Sequence, residues 1–485
     1  MNRITICCLL LFVAFGSVSQ AQDPVTTQHQ VKLADGQVIS YSATAGYLDL
    51  PNEAGSNQAR IFFVAYLKDG EKNPAERPLT FSFNGGPGSS SVWLHMGALG
   101  PKRVRMTDEG GSIPPPYEVI DNPHTWLGFT DLVFIDPVET GYSRPAPGID
   151  KKKFLGFEND LKSVGQFIQL YLSQNERWSS PKYLAGESYG TTRAAGLAGH
   201  LQDRYGLFLN GLVQISQVTN FQTIRFAKGN DLPHALFLPT FAATAWYHGQ
   251  VDKSKYPTLA DLLPKVEAFA KGDYTLALMQ GDEMEADLRT KVRKELAEYT
   301  GLSETYLDQC HLRLQVGPFN KELLRKKGEV VGRLDSRFKN TDYDDTGDSY
   351  EFDPSYSSTI YGPFTTAVYE HLGRNLKFQS HLPYEILTGR VRPWAMTENG
   401  GYLNVAETLR QAMHKNRDLQ VLICNGYYDL ATPYFATEYT LDHMFLEPDL
   451  KQNIEMKYYE SGHMMYIHLP SLVQMTKDVK GWYAD

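Results

Sequence analysis

Cysteine is scarce in this chain: 485 residues contain four. Two of them, Cys7 and Cys8, stand in an N-terminal leader, so Cys310 and Cys424 can form one bridge at most and a disulfide-stapled scaffold is excluded. Beyond Val18 no apolar run approaches the roughly twenty residues that a membrane span needs. Basic charge is short as well, with 47 Lys and Arg against 56 Asp and Glu and a net charge of −9. No long like-charge run offers a footprint for nucleic acid, and the acidic balance reads as solubility. Internal repeats and long linkers are lacking too. The leader combines Arg3, an apolar run from Ile4 to Val18 and the small-residue site Ser19-Gln-Ala21, which predicts a signal peptide over 1–21 cut after Ala21 and export to the periplasm or the medium. Ile4-Thr-Ile6 is not a small-residue box, which argues against a lipid anchor on Cys7 or Cys8.

What the chain does contain is Gly186-Glu-Ser-Tyr-Gly190, after the apolar run Lys182-Tyr-Leu-Ala185 and before the helix-compatible stretch Thr191 to Gln202. A serine at a sharp strand-to-helix turn, flanked by glycines that make room, is the pattern of a nucleophile elbow and marks Ser188 as a carbonyl-attacking hydroxyl. Such a serine needs an orienting acid and then a histidine downstream. Leu419-Gln-Val-Leu-Ile-Cys-Asn-Gly-Tyr-Tyr-Asp429 is a short buried-strand pattern that ends on an acid, at the edge where open α/β sheets place their ligands. Asn453 to Tyr459 alternates like a strand, and Glu460-Ser-Gly-His463 sets an imidazole on the following loop. Asp429 is the candidate acid and His463 the candidate base, with His468 as its substitute.

Short strands at Pro78–Phe83, Asp131–Asp136 and Leu209–Ser216 alternate with helical stretches such as Phe154–Tyr171, where Leu161, Val164, Phe167, Ile168 and Tyr171 recur at helix spacing. That alternation predicts a mixed, mostly parallel sheet flanked by helices. Val38–Leu50 and Ala59–Lys68, joined by the turn-rich Pro51–Ser56, predict an antiparallel hairpin before it. From about 220 to 360 the strand rhythm gives way to charged, helix-like sequence, read as a mainly helical cap inserted between a first core part (22–219) and a second (361–485). Asn340–Asp353 reads as a solvated acidic loop, since it lacks calcium-loop spacing.

Asn84-Gly-Gly-Pro-Gly-Ser-Ser-Ser91 follows a strand, but it lacks the P-loop lysine and the G-x-G-x-x-G spacing, so a nucleotide site is not expected. An elbow enzyme instead draws one oxyanion donor from such a loop and another from the residue after the nucleophile, which pairs the amides of Gly86 and Tyr189.

These motifs together resemble the serine carboxypeptidases of the α/β-hydrolase fold. The resemblance rests on Asn84-Gly-Gly-Pro-Gly88, Leu99-Gly-Pro101, Asn122-Pro-His-Thr-Trp126, Phe134-Ile-Asp136, Gly141-Tyr-Ser143, the elbow, Asn425-Gly-Tyr-Tyr-Asp429 and Gly462-His463, in that order. It implies a Ser188, Asp429, His463 triad, a Gly86 and Tyr189 oxyanion hole, and a grip on the substrate's C-terminal carboxylate by Asn84 and Glu187. Glu187 can donate a hydrogen bond to a carboxylate only while protonated, which implies an acidic optimum. The chain departs from the family pattern at Ala98, where plant and yeast members commonly carry a glutamate, at Ser89 in place of a cysteine, and at Ser82 in place of a tryptophan. The expectation is an exported serine carboxypeptidase acting on peptides with a free C-terminus through an acyl-enzyme, with no metal or cofactor. An esterase or acyltransferase using the same triad is the alternative.

Overall fold

The computed structural model describes residues 23–397 and 400–484. The leader and its expected cleavage site lie outside the described residues. A ten-stranded sheet forms the centre. Its long strands are β1 (Val25–Lys32), β2 (Val38–Pro51), β3 (Asn57–Lys68), β4 (Leu79–Phe83), β5 (Asp131–Ile135), β6 (Lys182–Glu187), β7 (Gly211–Ile215), β8 (Gln420–Gly426) and β9 (Ile454–Tyr459). They lie side by side in the order β1-β2-β3-β5-β4-β6-β7-β8-β9, and the two-residue strand Arg144–Pro145 pairs with β3.

The first three strands form an antiparallel meander that joins β5 antiparallel, with Phe63 opposite Ile135. From β5 onward every neighbouring pair in the path is parallel. Helices cover both faces, and the whole has the α/β-hydrolase fold. The reason is visible in burial. β4, β5 and β7 are buried at every position, as strands sandwiched between helices must be. On one face the helix Phe157–Gln174 buries Leu161, Val164, Phe167, Ile168 and Tyr171, the stripe its sequence spacing predicts. Burying each such side chain stabilises the fold by about 1.5–3 kcal/mol before chain entropy is counted.

A separate apolar cluster runs from Ala235 through Leu324 and Val331, and it meets Tyr428, Leu430, Tyr434 and Phe435 of the sheet's C-terminal side. Its helices include Leu232–Tyr247, Leu259–Phe269 and Ala286–Thr300. Ile360, Phe364 and Val368 pack instead into the cluster on a face of the sheet. Within the helical block the three-residue strands Glu329–Val331 and Lys339–Thr341 pair with each other; three residues are too few to show a strand period in sequence. Cys424 is buried on β8 and Cys310 lies at a helix end of the block, and both thiols are free. No helix among the described residues is long and apolar enough to cross a membrane.

Candidate active site

β6 ends at Glu187, and the helix Tyr189–Tyr205 starts two residues later. Between them Ser188 adopts φ 59° and ψ −128°, a conformation that costs a non-glycine residue about 1–3 kcal/mol and persists only where its surroundings enforce it. They do so here: Ser188 N donates to Ile215 O of β7 at 3.0 Å, and Thr191 N donates back to Ser188 O at 2.8 Å. A methyl at Gly186 would stand 2.3 Å from Gly190 O, and one at Gly85 would stand 2.4 Å from Tyr189 N. The elbow and the loop Asn84–Gly88 are thus in backbone contact, which no larger residue at these glycines permits.

Two further loops meet at the C-terminal edges of β8 and β9. Asp429, wholly buried, accepts at Oδ1 from Ala431 N (2.7 Å) and Thr432 N (3.0 Å), and at Oδ2 from Thr432 Oγ1 (2.7 Å). His463 Nδ1 stands 2.7 Å from the same Oδ2. Because an ionised carboxylate only accepts, the ring proton is held on Nδ1 and the lone pair is left on Nε2. Burial pulls the His463 pKa down, but the Asp429 charge and its hydrogen bond outweigh burial and leave the ring above its ordinary value of 6.5. The ring bonds to Asp429 and Thr432, and among the described residues none links it to Ser188 Oγ. Such an arm commonly tightens only when substrate binds. The substitute candidate, His468, bonds Ser471 Oγ at 2.8 Å and lies 3.8 Å from Glu109, away from Asp429.

A cavity of about 500 Å³ opens over Ser188. Gly86 and Tyr189 line it with Val218, Phe221, Phe237 and Ala431. The amides of Gly86 and Tyr189 make no backbone hydrogen bond among the described residues, so both donors are available to a ligand. Beside the serine, Glu187 is buried; Asn84 Nδ2 donates to its Oε1 at 3.1 Å and the Tyr466 hydroxyl donates to its Oε2 at 2.5 Å. Asn84 is itself fixed, since its Oδ1 accepts from Leu94 N and its backbone O accepts from Arg193, whose guanidinium is paired with Asp160 in the interior. Burial pushes the Glu187 carboxyl up to about 7 against the opposing pull of His463, Tyr466 and Asn84. No cluster of three or more His, Cys, Asp or Glu side chains that could hold a metal occurs among the described residues.

The description of the serine carboxypeptidase family matches residues 34–482. The chain belongs to this family. It is 26% identical over 201 residues to Serine carboxypeptidase-like 13 of Arabidopsis thaliana, covering 41% of this chain and 44% of that protein. With Serine carboxypeptidase-like 8 of the same plant it is 29% identical over 153 residues, covering 31% and 33%. These matches span less than half the length of either relative. Among solved structures, Kex1(delta)p, a prohormone-processing carboxypeptidase from Saccharomyces cerevisiae, superposes with a TM-score of 0.57 at 18% identity over 91% of each chain, a likeness of fold.

Against that family background two features escaped the sequence reading. Residue 98 is an alanine and offers no carboxyl, but Tyr466 packs its ring on the neighbouring Gly97, where a methyl would stand 2.5 Å from the ring, and brings its hydroxyl to Glu187. Its place three residues after His463 was the available signal. The second feature is the buried pair Asp335–Arg337, at 2.7 Å. Asp335 Oδ2 accepts from Gly462 N at 3.0 Å, Arg337 donates to Ser461 Oγ at 3.0 Å, and Leu334 O accepts from His463 N at 2.6 Å. The loop that carries the histidine is therefore held by a segment more than a hundred residues away, with no local motif to announce it.

Proposed function

We propose that this serine carboxypeptidase family member is an exported enzyme that hydrolyses C-terminal peptide bonds through an acyl-enzyme on Ser188. The observation that carries the reading is the buried Asp429–His463 hydrogen bond of 2.7 Å, on loops at the sheet edge where the elbow serine lines an open cavity. In this mechanism Ser188 Oγ attacks the scissile carbonyl carbon while His463 Nε2 takes its proton. Asp429 holds the ring in the required tautomer and stabilises the imidazolium. The oxyanion that forms accepts from the Gly86 and Tyr189 amides, donors worth roughly 3–4 kcal/mol each to the transition state. His463 then returns the proton to the leaving amine, and water repeats the sequence in reverse to free the acyl group and restore Ser188.

In the same reading Asn84 and protonated Glu187 bind the substrate's C-terminal carboxylate. The helical block between 220 and 360 acts as the cap, and the leader 1–21 directs export. An esterase or acyltransferase remains the second reading, favoured by one observation: both oxygens of Glu187 already accept from protein donors, which stabilises the ionised form that a substrate carboxylate would reject.

Turnover of N-blocked dipeptides, as free acids and as amides, from about pH 4 to 8 with Ser188→Ala as control, tests the proposal. A preference for the free acid that fades as pH rises, and that Ser188→Ala abolishes, is the expected result. Equal turnover of acid and amide, or turnover of esters alone, moves the assignment to the second reading.

A further inference from the structure

The cavity over Ser188 is lined by two charged side chains, and both are cationic: Arg225 and Arg333. This is unexpected in a chain with nine more acids than bases. Neither guanidinium has an ion-pair partner among the described residues, although Arg193, Arg313 and Arg337 are all matched with a carboxylate. Arg225 stacks at 5.5 Å from the Phe221 centroid, and its proton affinity is lowered, first by burial and then by the positive charge of Arg333. Two like charges in one partly desolvated cavity raise each other's cost unless an anion enters between them.

Their backbones are fixed. Arg225 O accepts from Asn230 Nδ2 at 2.8 Å and from Ala227 N at 2.8 Å. Arg333 N donates to Asp353 Oδ1 at 3.1 Å, and Arg333 O accepts from Leu430 N at 3.1 Å, directly after the catalytic acid. Apolar side chains of Ile224, Phe226, Phe237 and Val316 also line the cavity, together with Ser188 and Thr432.

We infer that Arg225 and Arg333 form a carboxylate-binding subsite of the Ser188 cavity, so that the substrate this chain takes carries an anionic group beside its scissile bond. Planar guanidiniums bind carboxylates in a bidentate, charge-assisted manner, and in a half-enclosed site that geometry is worth about tenfold or more in affinity. In the proposed reading Asn84 and Glu187 take the terminal carboxylate, so the group the arginines meet is an acidic side chain next to the bond, and the terminal carboxylate is the alternative source. The inference rests on the proposed acyl-transfer role of Ser188, and its test separates the two.

Matched N-blocked dipeptides carrying Glu or Gln at each position flanking the bond, as free acid or amide, are assayed with wild type, Arg225→Met/Arg333→Met and Arg225→Lys/Arg333→Lys. In parallel, their binding to Ser188→Ala with and without the Met changes is measured calorimetrically, which needs no turnover. In wild type the carboxylate-bearing member of a pair is expected to be favoured by about tenfold, chiefly in KM, with the advantage shrinking at high salt. The Met pair removes the advantage and the Lys pair restores part of it. If the Glu-over-Gln advantage is what disappears, the source is a side chain; if the acid-over-amide advantage disappears, it is the C-terminus. No advantage in wild type or in Ser188→Ala, or one that survives both Met substitutions, overturns the inference. Anion-dependent binding without turnover of any peptide leaves the subsite standing and refutes the peptidase reading instead.

Discussion

The Tyr466 hydroxyl donates to Glu187 Oε2 at 2.5 Å, in a pocket where both side chains are buried. Four groups act on this carboxyl: Tyr466 and Asn84 by hydrogen bonds, and His463 and Asp429 by charge. Tyr466 stays neutral, its own pKa raised well above 10 by burial. As a neutral hydroxyl it donates to the carboxylate, and a donor favours the ionised acid.

Tyr466→Phe removes that donor and leaves the burial, so the Glu187 pKa, about 7 in the intact protein, rises further. If protonated Glu187 binds the terminal carboxylate, the alkaline limb of kcat/KM for free-acid peptides moves to higher pH, by about one pH unit for a bond worth roughly 1.5 kcal/mol. Ester turnover, which needs no terminal carboxylate, keeps its alkaline side. Coincident profiles for wild type and Tyr466→Phe on free-acid peptides would show that the hydroxyl does not set this ionisation.

On the acidic side the base sets the limit. The Asp429 charge outweighs burial and raises His463 above its ordinary 6.5, so activity on every substrate falls as pH drops through that raised pKa and the ring protonates. Free-acid peptides are thus expected to show a narrow bell and esters a single acidic limb. A free-acid profile without an alkaline limb would falsify the Glu187 assignment while leaving His463 in place.

Asp429→Asn preserves an acceptor for the Ala431 and Thr432 amides, so the fold should survive. The amide no longer holds the ring proton on Nδ1, and kcat is expected to fall by about 10⁴. Circular dichroism and kinetics on the same preparation check both halves, and near-native turnover would remove Asp429 from the mechanism.

Gly85→Ala drives a methyl to 2.4 Å from Tyr189 N, whereas Gly373→Ala meets nothing within 4 Å. The first change is expected to cost about 1–3 kcal/mol and to displace the proposed oxyanion donors, so that kcat falls more than the melting temperature alone would explain. The second should leave both within error.

Asp335→Ala strands the Arg337 charge in the interior and should cost about 3–5 kcal/mol. Replacing both residues with apolar side chains, Asp335→Leu with Arg337→Met, is expected to recover much of the stability but not the rate, because Gly462 N and Ser461 Oγ still lose their partners. Recovery of full kcat in the double variant would show that the pair supports folding without positioning His463.

Ser188, Asp429 and His463 were legible as candidates because each follows a short strand within a few residues, and strand ends deliver side chains to one edge of a parallel sheet. The β2–β3 hairpin and the helix Phe157–Gln174 were readable for a related reason: their periods repeat over enough residues to fix a face. The hairpin at 329–341, three residues a side, repeats too little. Arg225, Arg333 and the Asp335–Arg337 pair had no such period, since each sits on an irregular segment, and Tyr466 sits on the three-residue turn Met465–Ile467, too short to show one, and bonds Glu187 far away in sequence.

The sequence by itself determined the α/β-hydrolase fold, the family and the identity of the three residues proposed to carry the reaction, because local strand, turn and helix preferences recur in an order that few folds accommodate. Only the tertiary structure decided what surrounds them: which donors hold Glu187, what pins the histidine loop, and which charges line the cavity. Those are contacts between segments far apart in the chain, selected by packing rather than by any local preference, so no window of sequence contains them.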